Sequence, residues 1–110
     1  GFKLGMKDVF LNIAGGIRVE DPALDLAVVC SILSSTLDLA ISPDCAFAAE
    51  IGLSGEVRPV SKIEQRISEA AKMGFKKIFI SEFTRNLKKP SNIQVVTVGH
   101  VGEIHRILFN

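Results

Sequence analysis

Arg58, Lys62 and Arg66 place three cations within nine residues, and Arg18 adds a fourth upstream. Lys62 and Arg66 are four apart, the spacing that puts two side chains on one helix face. Being alike in charge, they would project together instead of pairing. Such a group could contact the phosphates of a nucleic acid. The competing reading is a solvated surface, with some of these cations paired to Glu64 or Glu69. A second basic stretch, Lys72, Lys76, Lys77, Arg85, Lys88 and Lys89, reads as solvated surface.

Other reactive side chains are poorly placed for chemistry. Ser31, Ser34 and Ser35 fall in one apolar run, and spacing puts no base beside them, so they read as structural. There is no GxxxxGK[ST] phosphate loop, no HExxH and no GxSxG. Cys30 and Cys45 lie in apolar surroundings without a CxxC, which fits buried free thiols of a cytoplasmic protein better than a disulfide. His100 and His105 are too isolated to suggest a metal site.

The elements that must position these residues follow from periodicity. Residues 8–14 alternate as a strand, Gly15-Gly16 is a turn, and residues 17–19 read as the returning strand of a hairpin. Asp21 can cap a helix and Pro22 suits its first position; the run from Ala23 to Ser35 is apolar almost all round, which predicts a buried helix. A buried strand is expected from Cys45 to Ile51, a turn from Gly52 to Gly55, and a short strand at Glu56-Val57 ended by Pro59. A second helix should run from about Lys62 to Met73, with Ile63, Ile67, Ala70 and Ala71 in one stripe and Gly74 as its stop. Strands at 77–81 and 93–98 and a helix at 100–108 complete the order β-β-α-β-β-α-β-β-α. Residues 82–92 are expected to form a surface loop with a helical turn. This is a single α+β domain, a sheet with helices packed over it.

Bulk composition narrows the possibilities. A chain of 110 residues is one domain long and buries roughly 65% of its unfolded surface, enough for a core without staples. With Trp and Tyr absent, that core must come from aliphatic residues and the seven Phe. Thirteen basic against twelve acidic residues give a net charge of +1, so any nucleic-acid role has to rest on local clustering. No apolar run reaches the ~20 residues of a membrane-spanning helix. The opening Gly-Phe-Lys, with no initiator Met and no signal peptide, is expected of a piece cut from a longer chain.

Two segments carry a family resemblance. Glu20-Asp21-Pro22-Ala23-Leu24-Asp25 opens the first helix, and residues 50–66 read EIGLSGEVRPVSKIEQR. From about Asp8 to Ile80 they resemble the proteolytic domain of Lon, which has an acidic-Gly-Pro-Ser-Ala-Gly helix start, Gly-x-Val-x-Pro, a Gly-Gly pair and a lysine on the next helix. The resemblance implies a Lon-type α+β fold with a mixed sheet. It also implies a nucleophilic serine activated by the lysine, a pairing that requires a hydroxyl and a neutral amine within hydrogen-bond reach. Here the nucleophile position falls on Ala23 and the base position on Glu64, while the Gly-Gly pair becomes Ser61-Lys62. A methyl group and a carboxylate cannot form that dyad, so a protease without activity is expected. A peptidase with an altered dyad is the remote alternative.

Over nearly the whole chain, the strings LNIAGGIRVEDPALDLAV and GEVRPVSKIEQRISEAAKMGFKKIFI are similar to the C-terminal domain of the bacterial DNA-repair family RadA, also called Sms. That resemblance implies a zinc-finger segment and a RecA-like ATPase preceding this domain. It implies ATP, Mg and Zn as cofactors of the longer protein but none for this piece, which should not hydrolyse ATP. It further implies branch migration in homologous recombination by a hexameric ring on DNA, alongside a RecA-type recombinase, in the cytoplasm and away from membranes. The domain would then be a scaffold of that ring, a DNA-binding surface formed by Arg18, Arg58, Lys62 and Arg66, or both. A purely structural oligomerisation domain is the alternative.

Overall fold

The computed structural model describes residues 21–88, 90 and 92–109. The expected hairpin at 8–19, and Arg18 with it, lie outside the described residues. Asp21 and Pro22 act as expected. The Asp21 carboxylate accepts the Ala23 N–H at 3.0 Å, and Pro22 opens a 3-10 turn, Pro22–Leu24, that leads into helix α1 (Asp25–Leu37). The helix runs two residues past Ser35 and ends at Asp38 in the left-handed region (φ 54°). The Ser34 hydroxyl is buried and donates to the Leu39 carbonyl at 2.5 Å, a structural job for that serine. Burial of α1 is one-sided: Leu26 and Cys30 are enclosed, while Ile32 and Leu37 are exposed.

The strand expected from 45 to 51 is broken. Strand β1 is Cys45–Ala48 and β2 is Glu50–Ile51, and Ala49 between them turns its backbone to the 3-10 turn and α1. Its N–H donates to the Ala23 carbonyl at 3.2 Å, and its carbonyl accepts the Leu26 N–H at 3.1 Å. Strand β3 is Val57–Arg58 and pairs antiparallel with β2. Helix α2 (Ile63–Lys72) follows, then β4 (Lys77–Ser81) and β5 (Gln94–Val98). A second 3-10 turn, Val101–Glu103, leads into α3 (Ile104–Phe109). The described residues of 82–92 contain no helix, but one hydrogen-bonded turn opens the segment, with the Thr84 N–H donating to the Ser81 carbonyl at 3.2 Å.

The three-stranded sheet has the order β1-β4-β5 and is parallel throughout, with β2-β3 as a separate antiparallel pair. A mixed sheet was expected; among the described residues the two strand directions are segregated instead. The physical reason lies in the strands themselves. Parallel strands are covered on both faces and therefore read as apolar runs, as Lys77-Ile-Phe-Ile-Ser81 does.

Alternate side chains feed two clusters. Phe47, Phe79 and Val96 face α1 and α3, with the two Phe rings stacked at 5.2 Å. Ala48, Ile78, Ile80 and Val95 face α2, where Ile63, Ile67, Ala70 and Ala71 form the expected stripe. Leu87 and Ile93 join that second cluster. The described residues of 82–93 therefore belong to the crossover between two parallel strands, with Leu87 and Ile93 packed on the α2 side, and are not merely a surface loop.

Gly74 (φ 93°) ends the α2 segment in a conformation that disfavours a side chain. No helix of the described residues is long and apolar enough to cross a membrane.

Candidate functional site at the carboxyl end of the sheet

The carboxyl ends of parallel strands are where open α/β sheets ordinarily bind ligands. Here that edge is closed by backbone. The 3-10 turn covers the end of β1 through Ala49, and β3 lies across the ends of β4 and β5. The Val57 N–H donates to the Gly99 carbonyl at 3.0 Å, while the buried Ser81 hydroxyl donates to the Val57 carbonyl at 2.8 Å and accepts the Phe83 N–H at 3.0 Å. Ala23, Ala49, Val57, Ser81 and Val98 are all buried.

Ala23, at the position matching a nucleophile, is 2% exposed and its methyl belongs to the core. Glu64, at the position matching a base, is exposed in the first turn of α2. Its carboxylate accepts the backbone N–H of Lys88 at 3.5 Å, which ties α2 to the crossover.

The two family-like segments do meet, but through other residues. Arg66 reaches Asp21 at 3.5 Å, 45 positions earlier, and its Nε donates to the Ser61 carbonyl at 2.9 Å. Arg66 therefore turns back onto its own turn, away from the outward direction expected of it. Arg58 is likewise occupied, with Nε and Nη2 at 3.1 and 2.6 Å from one oxygen of Glu56. The paired acids are Asp21 and Glu56, not the Glu64 and Glu69 suggested by proximity in sequence.

Lys62 also departs from expectation. Helix α2 begins at Ile63, so Lys62 is its N-cap and shares no helical face with Arg66. It adopts φ 57° and ψ 38°, the left-handed region, and makes no side-chain cap. That conformation costs a non-glycine residue about 1–2 kcal/mol. A glycine would adopt the same torsion without that cost. Among the described residues the ion pairs are Arg58–Glu56, Arg66–Asp21 and Arg106–Glu103, which leaves Lys62, Lys72, Lys76, Lys77, Arg85 and Lys88 as exposed cations outside them.

Sequence reasoning missed a latch at the end of β5. His100 caps the second 3-10 turn: its Nδ1 accepts the Gly102 N–H at 3.0 Å, so Nε2 carries the proton donated to the Ser54 carbonyl at 2.9 Å. Glu103 completes a capping box by accepting the N–H groups of Gly99 and His100. The pattern is hard to see in sequence because His stands where Ser or Thr is usual.

Backbone hydrogen bonds set the acidity of two carboxylates here. Those from Gly99 and then His100 hold Glu103 below the ordinary carboxylate range. Its own N–H, then Arg58, does the same for Glu56. In the core, Cys30 and Cys45 are buried free thiols, and burial pushes Cys30 up to about 12.

A family described as "Subunit ChlI of Mg-chelatase" matches residues 1–83. The chain is 47% identical to the DNA repair protein RadA of Bacillus subtilis over 109 residues, covering 96% of this chain and 23% of that protein. It is 49% identical to the RadA of Listeria monocytogenes over 105 residues, 94% of this chain and 23% of the relative. The chain belongs to the RadA family. With the Streptococcus pneumoniae RadA it shares 42% identity over 110 residues, 99% of this chain and 26% of the relative. It thus spans about a quarter of the length of the RadA relatives it matches.

Proposed function

We propose that this chain is a Lon-type, non-proteolytic domain of a DNA-repair protein of the RadA kind, serving as a scaffold of its ring and as a surface that contacts DNA. Lost proteolysis is supported by chemistry at both dyad positions. Ala23 offers a buried methyl and Glu64 an anion already engaged with Lys88. In this reading the ATP, Mg and Zn expected of the longer protein belong to its other domains. The sequence lacks a phosphate loop, and no group of three or more His, Cys, Asp or Glu among the described residues is placed for a metal.

Lys62 carries the DNA half of the reading. An exposed cation is kept in a strained backbone conformation that a glycine would adopt freely. Strain of this sort is retained where the side chain has a use. Arg58 and Arg66, each held by a carboxylate, are secondary to it, and Arg18 lies outside the described residues.

Lys62→Gly removes the cation and relieves the torsion together, and two readouts tell them apart: DNA affinity reports the cation and thermal stability the torsion. In the full-length protein this variant should lower DNA affinity and reduce the slope of log affinity against log salt by about one. Its thermal stability should hold or rise by about 1 kcal/mol. Unchanged affinity and slope would remove the DNA role. The scaffold half is checked by the oligomeric mass of the full-length protein with and without these 110 residues. A ring of the same mass after deletion ends that half.

A further inference from the structure

Lys62 and Lys88 are 26 positions apart, yet both adjoin Glu64. Lys62 precedes it by two residues at the start of α2, and the Lys88 N–H donates to its carboxylate at 3.5 Å. A second contact fixes the same approach: Leu87, beside Lys88, packs in the cluster that contains Ile63, beside Glu64. The backbone of Lys88 is thereby held against the first turn of α2, which begins directly after Lys62.

We propose that Glu64 is a positioning residue, holding the crossover so that Lys62 and Lys88 form one composite surface for the phosphate backbone of a nucleic acid. This rests on the DNA-contact reading above and adds to it a role for the acid at the former base position. An acid beside two phosphate-binding lysines would weaken binding through its charge alone. Its use is as an acceptor: a lysine at this position has no lone pair to offer the Lys88 N–H and would repel both neighbouring cations.

The contrast between Glu64→Gln and Glu64→Ala tests this, because both remove the same charge and only Gln keeps a side-chain acceptor. Charge counting makes the two variants equal. The positioning role makes them differ. In the full-length protein titrated with a labelled DNA oligonucleotide, Glu64→Gln should bind at least as tightly as the parent. Glu64→Ala should bind about threefold more weakly than Glu64→Gln, the scale of one disturbed phosphate contact. Deuterium uptake by peptides covering 82–88 should rise in Glu64→Ala and stay at the parent level in Glu64→Gln. Equal affinities and equal uptake in the two variants would overturn the proposal. Lys62→Gly and Lys88→Ala keep the two readings apart. If neither changes DNA affinity, the DNA reading fails on its own, while the uptake contrast still reports on the tether. If both weaken binding but Glu64→Ala matches Glu64→Gln, only the positioning role is lost.

Discussion

Replacing Ile80 by Ala should destabilise the fold by about 2–5 kcal/mol, the cost of deleting a large aliphatic side chain from a core that cannot fully collapse. Ile80 is 0% exposed on β4, the middle strand, which is bonded to β1 on one side and β5 on the other. Its side chain belongs to the cluster shared with Ile67 and Ala70 of α2 and with Ile93 of the crossover. The loss is therefore felt by the helix and the crossover together, the two elements that carry Lys62 and Lys88. A domain of this size has a total stability of about 5–15 kcal/mol, so the variant gives up a large fraction of it.

Urea unfolding of the 110-residue chain measures this directly. The midpoint should fall by about 1 M or more, given slopes of about 1–3 kcal/mol per molar. Ile32→Ala is the matched control. Ile32 is 58% exposed on α1, and its truncation should change stability by no more than about 0.5 kcal/mol. Equal effects from the two truncations would contradict the assignment of β4 to the centre of the core.

The local signals in the sequence were reliable where the partner was nearby. Asp21 and Pro22 opened the helical segment, Gly74 closed the next one, and the stripe Ile63, Ile67, Ala70 and Ala71 faced the core. They failed where the deciding partner lay far along the chain. Nothing between 45 and 51 announces that Ala49 leaves the ladder, because its partners are Ala23 and Leu26. The cation group misled for the same reason. The spacing of Lys62 and Arg66 is a helical one, but the helix starts after Lys62, and Asp21 draws Arg66 away. Conversely, Lys88 looked like part of a separate basic stretch until the crossover brought it to Glu64.

Two legible features concern function most. Ala23 and Glu64 are a methyl and a carboxylate by residue type alone, and the expectation of a lost serine–lysine dyad rests on those types. Their present occupations, one in the core and one at the crossover, required coordinates.

Ser81→Ala should cost about 1–3 kcal/mol through one oxygen atom, because the hydroxyl serves two backbone groups at once, the Val57 carbonyl among them buried. It donates to the Val57 carbonyl at 2.8 Å and accepts the Phe83 N–H at 3.0 Å, and Ser81 itself is 0% exposed. Alanine leaves the buried Val57 carbonyl without this partner and frees the Phe83 amide, whose bond to Ser81 is part-buried. The damage is also directional. Val57 keeps the bond from its own N–H to the Gly99 carbonyl, so β3 loosens from β4 before it leaves the end of β5. Arg58 follows Val57 directly, and the chain then runs through Ser61 to Lys62, so the loosened strand lies just upstream of the exposed cation. Hydrogen exchange should show faster exchange at Phe83 and across 57–62, with the amides of β1 unchanged. An unfolding midpoint indistinguishable from the parent, together with unchanged exchange at Phe83, would mean that the hydroxyl does not hold β3 across the sheet. The closed carboxyl edge would then have to be secured by the backbone contacts of Ala49 and Val57 alone.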